Sequence, residues 1–384
     1  MVKAPDPRIK LHTITVVKTL TPANSTDFRI VMKLLNQTIE NIEEVSIDSD
    51  GNIRNRLNNL AIPTGSLGRL EEFATIYASI KRSTDAAIRH KVVFTMAGDH
   101  GVSSEGVSTF PQEVTRQMVN NFLDGGATIS VFARHAGARV VVVDCGVKAD
   151  FEPVVGLKIK KVGYGTGNIA CGPAMSRAQA IKSLEAGIEV LNEELCNGLD
   201  IVATGDMGIA NTTPSSAIIA CLTGVDVSKV TGRGTGLDDE GIEKKISIIK
   251  RALDVNKPDP SDPIDVLSKV GGFEIGGIAG LCLAAASHRI PVLIDGFIST
   301  AAALIACTLE PKVNNYLISS HASAENGHNI ALEKLGKKAI LNLDLRLGEG
   351  TGAVLAMSLI EAGVSILTQM ATFTEAEVST PRLL

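Results

Sequence analysis

From Lys91 onward the chain alternates short apolar runs with small, polar turns. VVFTMA (92–97) leads into Gly98-Asp99-His100-Gly101, RVVVVD (139–144) into Cys145-Gly146, and LDIVAT (199–204) into Gly205-Asp206-Met207-Gly208. PVLID (291–295) leads into Gly296-Phe297, NYLISS into His321-Ala322-Ser323, and AILNLDL (339–345) into Arg346-Leu347-Gly348-Glu349-Gly350. Helix-length stretches separate most of these runs. Continuous apolar strands alternating with helices predict a doubly wound, mostly parallel α/β sheet, Rossmann-like and covered on both faces, with right-handed crossovers. Ahead of it, from about Thr26 to Lys81, the pattern is helical and includes Phe28, Val31, Leu34 and Leu35. After the turn IPTGSLGRL, Ser66 is placed to cap a helix through Leu70, Phe73 and Ile76. Residues 1–25, with Pro5, Pro7 and Pro22, read as an irregular extension.

In an open parallel sheet the carboxyl ends of all strands share one edge, and ligands bind in the crevice there. That edge would collect Asp99, His100, Asp144, Asp206, Asp295, His321, Ser323, Arg346 and Glu349. Asp and Ser at strand ends also cap the helices that follow. Capping explains Arg346 and Glu349 less well, because they flank a glycine turn together.

Composition narrows the classes of function. The net charge of -5 carries no basic excess, which argues against a nucleic-acid partner. Aromatic residues are only 3% of the chain and Trp is absent, while Gly reaches 36 residues, so the core is aliphatic and tight turns are many. The six cysteines, Cys145, Cys171, Cys196, Cys221, Cys282 and Cys307, include no C-x-x-C pair, and the histidines show no metal-ligand spacing. They read as small apolar residues in a reducing compartment rather than as a zinc or disulfide framework. The first residues lack a continuous apolar stretch of the kind a secretory signal needs. The apolar stretches around Ile275–Ala286 and Ile290–Leu309 are too short, or are interrupted by Asp295, to cross a membrane. A cytoplasmic location follows as the expectation.

The pattern G-x-G-T-G occurs three times: GYGTG (163–167), GRGTG (232–236) and GEGTG (348–352). Alternating glycines let backbone N–H groups converge on an anion, and Thr166, Thr235 and Thr351 could each offer it a hydroxyl. Three such loops suggest a phosphate-bearing ligand; ligand-free tight turns are the other reading. No G-x-x-x-x-G-K-[ST] sequence exists, which disfavours a P-loop nucleotidase. GTGNIA (165–170) matches G-x-G-x-x-A after the strand-like LKIKKV. Its candidate acidic partners, Glu185 and Glu189, fall inside a helical stretch instead of at a strand end.

Several segments together resemble one family, the nicotinate-nucleotide:dimethylbenzimidazole phosphoribosyltransferases of cobalamin lower-ligand assembly. They are PTGSLGRLE (63–71), AGDHGVSSEGVS (97–108), PQEVT (111–115), GNIACGPAMSR (167–177), TGDMGIANTTPSSA (204–217), DVLSKVGGFEIGGIAG (265–280), PVLIDGF (291–297), SHASAENG (320–327) and RLGEGTGA (346–353). They run in order from about residue 26 to about residue 370. The resemblance implies an α/β catalytic domain over 83–350 and a smaller helical domain built from both chain ends, 26–82 and 351–384. It also implies a homodimer, no cofactor and no metal. The implied reaction moves ribose 5-phosphate from nicotinate mononucleotide to 5,6-dimethylbenzimidazole, giving α-ribazole 5′-phosphate and nicotinate.

The same resemblance makes Glu349 the general base and gives Asp206 a place where Glu is expected in many members. Asp206 then either orients the base or caps locally. Gly232, Gly234, Lys245 and Ser323 are implied around the donor phosphate, although a lysine in Glu243-Lys244-Lys245 also reads as a solvated helix face. Arg346, beside Gly348, pairs with a substrate carboxylate or holds a neighbouring acid. Phe110, Pro111 and Met118 line the base pocket. Aromatic and thioether groups at 110 and 118, where some members carry Ser and Gln, make that pocket drier. Benzimidazoles other than the dimethyl form, adenine or phenols are then candidate acceptors. The rival readings are an NAD(P)-dependent dehydrogenase using GTGNIA, and a non-catalytic nucleotide-binding homologue.

Overall fold

The structure, a computed structural model, describes residues 32–380. The extension expected over 1–25 and the helical positions Phe28 and Val31 lie outside them. Six strands form one sheet: β1 (Lys91–Gly98), β2 (Ala138–Gly146), β3 (Leu157–Ile159), β4 (Ile201–Met207), β5 (Val292–Ile294) and β6 (Leu317–Ser319). Their order is β3-β2-β1-β4-β5-β6, and every ladder is parallel. The expected doubly wound α/β fold is present.

Along β1, Val92, Phe94 and Met96 face one buried cluster while Val93 and Ala97 face the other. Burial on both faces is why the run reads as continuously apolar rather than alternating. One face is covered by helices Arg177–Glu194, Phe273–Ser287 and Phe297–Leu309. Glu113–Leu123, Thr128–Ala136 and Thr351–Gln369 cover the other. Helices 177–194 and 273–287 approach so closely that a Cβ at Gly280 would overlap the Leu184 carbonyl, and one at Gly187 the Gly277 carbonyl. Glycine in these two helices, costly for helix propensity, is what permits that contact.

Helix Thr351–Gln369 is long and apolar enough to cross a membrane by length and composition alone. Here it is a core helix, with Ala353, Val354, Met357, Ile360 and Val364 buried between the sheet and helix Arg69–Lys81. The segment from Ile53 to Ala78 meets the C-terminal part of this helix. Ile53, Ala74, Ala78 and Leu367 share a small cluster, and the Arg56 guanidinium donates to the carbonyls of Leu367 and Met370. Helix Lys33–Glu40 lies elsewhere, against helices 177–194 and 273–287, with Leu35 in their core. Packing therefore crosses positions 82 and 350, the boundaries that the family resemblance implies.

Two local expectations fail. AILNLDL is no strand: only Leu341 bridges, to His321, and Asp344 takes a φ of 53° that breaks the extended backbone. The run follows residues 319–324 just past β6, with Leu341 N–H donating to the Ser320 carbonyl and the Ala322 and Ala324 N–H groups donating to the Leu341 and Leu345 carbonyls, but the bonds are too broken for a strand. Helix Arg69–Lys81 starts from Gly68, at φ 53°, with no side-chain cap, so Ser66 is not its N-cap.

Candidate active site

The sheet order reverses at β1, whose neighbours β2 and β4 lead off in opposite directions. A crevice opens at the carboxyl end of such a switch point. A cleft of about 410 Å³ lies there, lined among others by Phe110, Met118, Asp206, Ser323, Arg346 and Glu349. Its size suits a small ligand. A larger hollow of about 720 Å³ beside Arg56, Arg82 and Arg289 lies away from this edge, since Arg289 precedes β5.

Gly348, Glu349 and Gly350 all take left-handed φ values, 86°, 63° and 97°. A non-glycine residue held there costs about 1–3 kcal/mol and persists only where its surroundings impose it. Several groups do. Glu349 N–H donates to the Asp206 carbonyl at 3.2 Å, and the Thr95 hydroxyl donates to the Glu349 carbonyl at 3.0 Å. Gly205 has no Cβ, which would otherwise strike the Glu349 carbonyl, so the turn can rest on β4. Asp295, at the end of β5, accepts from Gly350 N–H at 3.3 Å and Ala353 N–H at 3.0 Å. These donors open helix Thr351–Gln369, where backbone N–H groups favour an anion.

The Glu349 side chain is only 5% exposed, and its Oε2 accepts from Ile129 N–H at 3.2 Å. That donor sits in the first turn of helix Thr128–Ala136. Burial pushes the Glu349 pKa up, and the Ile129 hydrogen bond partly offsets this. The result is a carboxylate with one oxygen fixed, raised basicity and a place on the cleft wall, as a general base requires.

Asp206 lies against Gly348 and accepts from Asn211 Nδ2 at 2.9 Å through Oδ2, while buried Oδ1 has no partner among the described residues. Burial, then the nearby Asp295, push its pKa up to about 8, so it is largely protonated at neutrality. A side-chain partner and a place on the cleft wall separate it from a simple helix cap. Asp295 is likewise pushed up, to about 7, by burial, against the pull of its backbone donors.

Other strand-end residues serve the fold. Asp99 accepts from Lys148 N–H at 2.8 Å, and Asp144 accepts from Val147 N–H and pairs with Lys161 at 2.7 Å. His100 and Glu274, both buried, meet at 2.7 Å behind Gly208. Burial alone would lower the His100 pKa, but Glu274 reverses it and the net shift is upward. His321 does face the cleft; burial lowers its pKa to about 4, so its ring is neutral near pH 7.

At the far end Lys245 is fully buried, and its Nζ donates to Thr212 Oγ1 at 2.7 Å directly behind Gly234. This excludes the solvated-face alternative, which fits its exposed neighbour Lys244. Burial lowers the Lys245 pKa to about 8, opposed by the charge of Glu325. Arg346 donates to the Gly234 carbonyl at 3.1 Å and forms no ion pair among the described residues, so it does not hold a neighbouring acid. Pro111, Gly232 and Lys245 stand behind or beside the lining residues. Phe110, 53% exposed, sits at the mouth, whereas Met118 is half-buried against the sheet core.

Sequence reading missed Glu325, Asn211 and Thr212 on the cleft wall, and Ala210, whose φ is 74°. Glu325 stands two residues past Ser323 inside SHASAENG, so that segment pointed to it. Ala210 carries no side-chain signal.

The three glycine loops do not converge on one anion. In the first, Gly165, Thr166 and Gly167 spend their N–H groups on the carbonyls of Gly146, Asp99 and Ala174, outside the cleft. The Thr166, Thr235 and Thr351 hydroxyls are taken locally, by Gly101 N–H, by Ser108 and Thr109, and by the Gly348 carbonyl. A dinucleotide reading of GTGNIA fails for the same reason: its amides are occupied, and the next helix begins only at Arg177.

A family model described as "Phosphoribosyltransferase" matches residues 42–378. The nicotinate-nucleotide–dimethylbenzimidazole phosphoribosyltransferase of Geobacter sulfurreducens is 56% identical over 348 residues, covering 91% of this chain and 99% of its own. The protein of that name from Chloroflexus aggregans is 53% identical over the same length, with the same coverage of both chains. A crystal structure of the Thermus thermophilus enzyme of that name superposes with a TM-score of 0.82 at 43% identity, covering 86% of this chain and 98% of its own.

Proposed function

This chain belongs to the nicotinate-nucleotide:dimethylbenzimidazole phosphoribosyltransferase family, and from that membership we propose that Glu349 is the base that completes transfer of ribose 5-phosphate to an aromatic nitrogen. The donor is nicotinate mononucleotide, and the products are nicotinate and an α-N-glycosidic ribonucleotide.

The pyridinium nitrogen of the donor is already positive. When the C1′–N bond breaks, its electron pair returns to that nitrogen, and nicotinate leaves without needing an acid. A benzimidazole nitrogen forms the new bond from the opposite face, inverting C1′. The acceptor ring becomes cationic as that bond forms, and its second nitrogen must lose a proton. Glu349 takes it. One oxygen fixed by Ile129, with basicity raised by burial, is the observation that carries this assignment. Asp206, largely protonated and leaning on Gly348, helps hold the turn that presents the base.

Lys245 behind Gly234, with Ser323 on the same cleft wall, binds the donor phosphate; a buried cation at that wall supports this placement. Gly232 stands behind this wall, beside Glu325. Phe110, Pro111 and Met118 frame the acceptor base. The sulfur and ring surfaces at 110 and 118 favour a flat apolar base, so benzimidazoles lacking the methyl groups are accepted as well. A mixed-base competition assay tests this, and exclusive use of dimethylbenzimidazole defeats it. The reading includes a cytoplasmic homodimer; six cysteines all present as free thiols support the reducing compartment. Sedimentation of the purified chain tests the dimer.

The deciding experiment measures nicotinate release with and without an acceptor base, for the wild type beside Glu349→Gln. Base-dependent release in the wild type, with donor binding kept and turnover lost in the variant, is the expected result. Equal turnover in both removes Glu349 from the mechanism.

A further inference from the structure

Glu325 stands out among the groups that the mechanism leaves unused. It lines the cleft and is only 7% exposed, and among the described residues its buried Oε2 has no hydrogen-bond partner. The absent side chain of Gly232 leaves the space this oxygen occupies. Neither neighbour donates to it: Ser323 Oγ accepts from the Glu325 N–H at 3.3 Å, and Lys245 Nζ directs its hydrogen bond to Thr212 Oγ1. Glu325 raises the Lys245 pKa through space, yet the two form no ion pair. A buried carboxylate oxygen without a donor is costly. Beside a phosphate-binding lysine it also repels the ligand, unless that ligand brings a donor of its own.

This inference rests on the phosphoribosyl-transfer reading, which restricts what that donor can be. The phosphate and the ring carboxylate of nicotinate mononucleotide offer only acceptors at neutral pH. The pyridinium nitrogen carries no hydrogen, and the N–H of the incoming base belongs to Glu349. Only the 2′- and 3′-hydroxyls of the ribose remain. We propose that Glu325 accepts a hydrogen bond from a ribose hydroxyl of the donor nucleotide and makes the enzyme selective for ribonucleotides over their deoxy counterparts. A carboxylate on the cleft wall suits this task because it accepts hydrogen bonds, and a ribose hydroxyl brings the donor.

Steady-state kcat/KM would be measured with nicotinate mononucleotide and with its 2′-deoxy and 3′-deoxy analogues, using wild type, Glu325→Ala and Glu325→Gln. The analogues differ in intrinsic reactivity, but the ratio of ratios between variant and wild type cancels that difference. In Glu325→Ala, the preference for the ribonucleotide over one deoxy analogue should fall roughly 10- to 100-fold, as for a lost hydrogen bond to a charged group. Glu325→Gln keeps the shape and one acceptor oxygen, so it should retain part of that preference; it also serves if the alanine variant does not fold. An unchanged preference at both hydroxyls in a folded variant overturns the proposal, even if activity drops for all donors alike. A wild type that releases no nicotinate from the ribonucleotide would instead sink the underlying reaction.

Discussion

The turns at 163–167 and 348–352 share the spelling G-x-G-T-G and differ in everything the spelling leaves open. In the first, only Gly165 takes a left-handed φ, its amides bond inward, and Tyr164 stands exposed with its hydroxyl on Asp150. In the second, three successive residues are left-handed and the middle one is a buried glutamate facing the cleft. The loop at 232–236 is a third variant, with Gly234 and Gly236 left-handed and Arg233 spent on Leu237 and Asp239. Alternating glycines thus license several backbone paths. Which path is taken depends on what the loop lands on: Thr95, Gly205 and Asp295 receive one turn, while Asp99 and Gly146 receive the other.

Substitution of the middle residue in each turn breaks this comparison most sharply. Glu349→Gln should lower kcat/KM by roughly 10²–10⁴, the span of a lost general base, while Tyr164→Phe should leave it within about two-fold. In the wild type, the rate should fall as acid protonates Glu349, and because burial raises that pKa the fall begins at higher pH than for an ordinary glutamate. A pH profile whose acid limb survives Glu349→Gln assigns the limb to another group.

Next in size is Lys245→Met, which tests whether the 232–236 loop backs an anion. Donor KM should rise roughly 10- to 100-fold, as expected when one charged partner of a charge-assisted hydrogen bond is removed. Folding stability should hold or increase, because a buried cation is replaced by an apolar chain. Burial lowers the Lys245 pKa to about 8, so in the free enzyme the cation is lost above that pH and donor KM should climb there. The climb should vanish in the variant.

Asp295→Ala sharpens the comparison from the other side by releasing the turn's anchor. Two helix-opening N–H groups lose their acceptor, costing about 1–3 kcal/mol, and kcat should fall while donor KM changes little. Thermal unfolding together with the kcat-against-KM split checks both halves. The smallest stability change belongs to Glu349→Gly, which removes the base and turnover with it. It should stabilise the fold by about 1 kcal/mol, because glycine accepts a φ of 63° without strain. A lower melting temperature would show that the Ile129 contact outweighs the strain.

The run pattern alone predicted a parallel α/β sheet, because residues buried on both faces leave no other reading for VVFTMA or RVVVVD. It also led too far, to a strand at AILNLDL, since apolarity cannot tell a regular ladder from a segment whose pairing is interrupted by a left-handed residue such as Asp344. The same limit applied to side chains. Asp99, Asp144, Asp206 and Asp295 look alike as strand-end acids, but the first two bond to neighbouring backbone, Asp295 holds a helix end, and Asp206 lines the cleft.

By itself, then, the sequence determined the layer architecture, the edge where chemistry-bearing residues gather and, through long ordered matches, the family. Those depend on periodicity and local composition, which the chain carries in linear form. Only the tertiary structure decided which lysine is buried, which glycine loop faces the cleft, and that Glu325 Oε2 has no hydrogen-bond partner among the described residues. Burial and hydrogen-bond satisfaction are properties of segments brought together from distant parts of the chain, and no single stretch of sequence contains them.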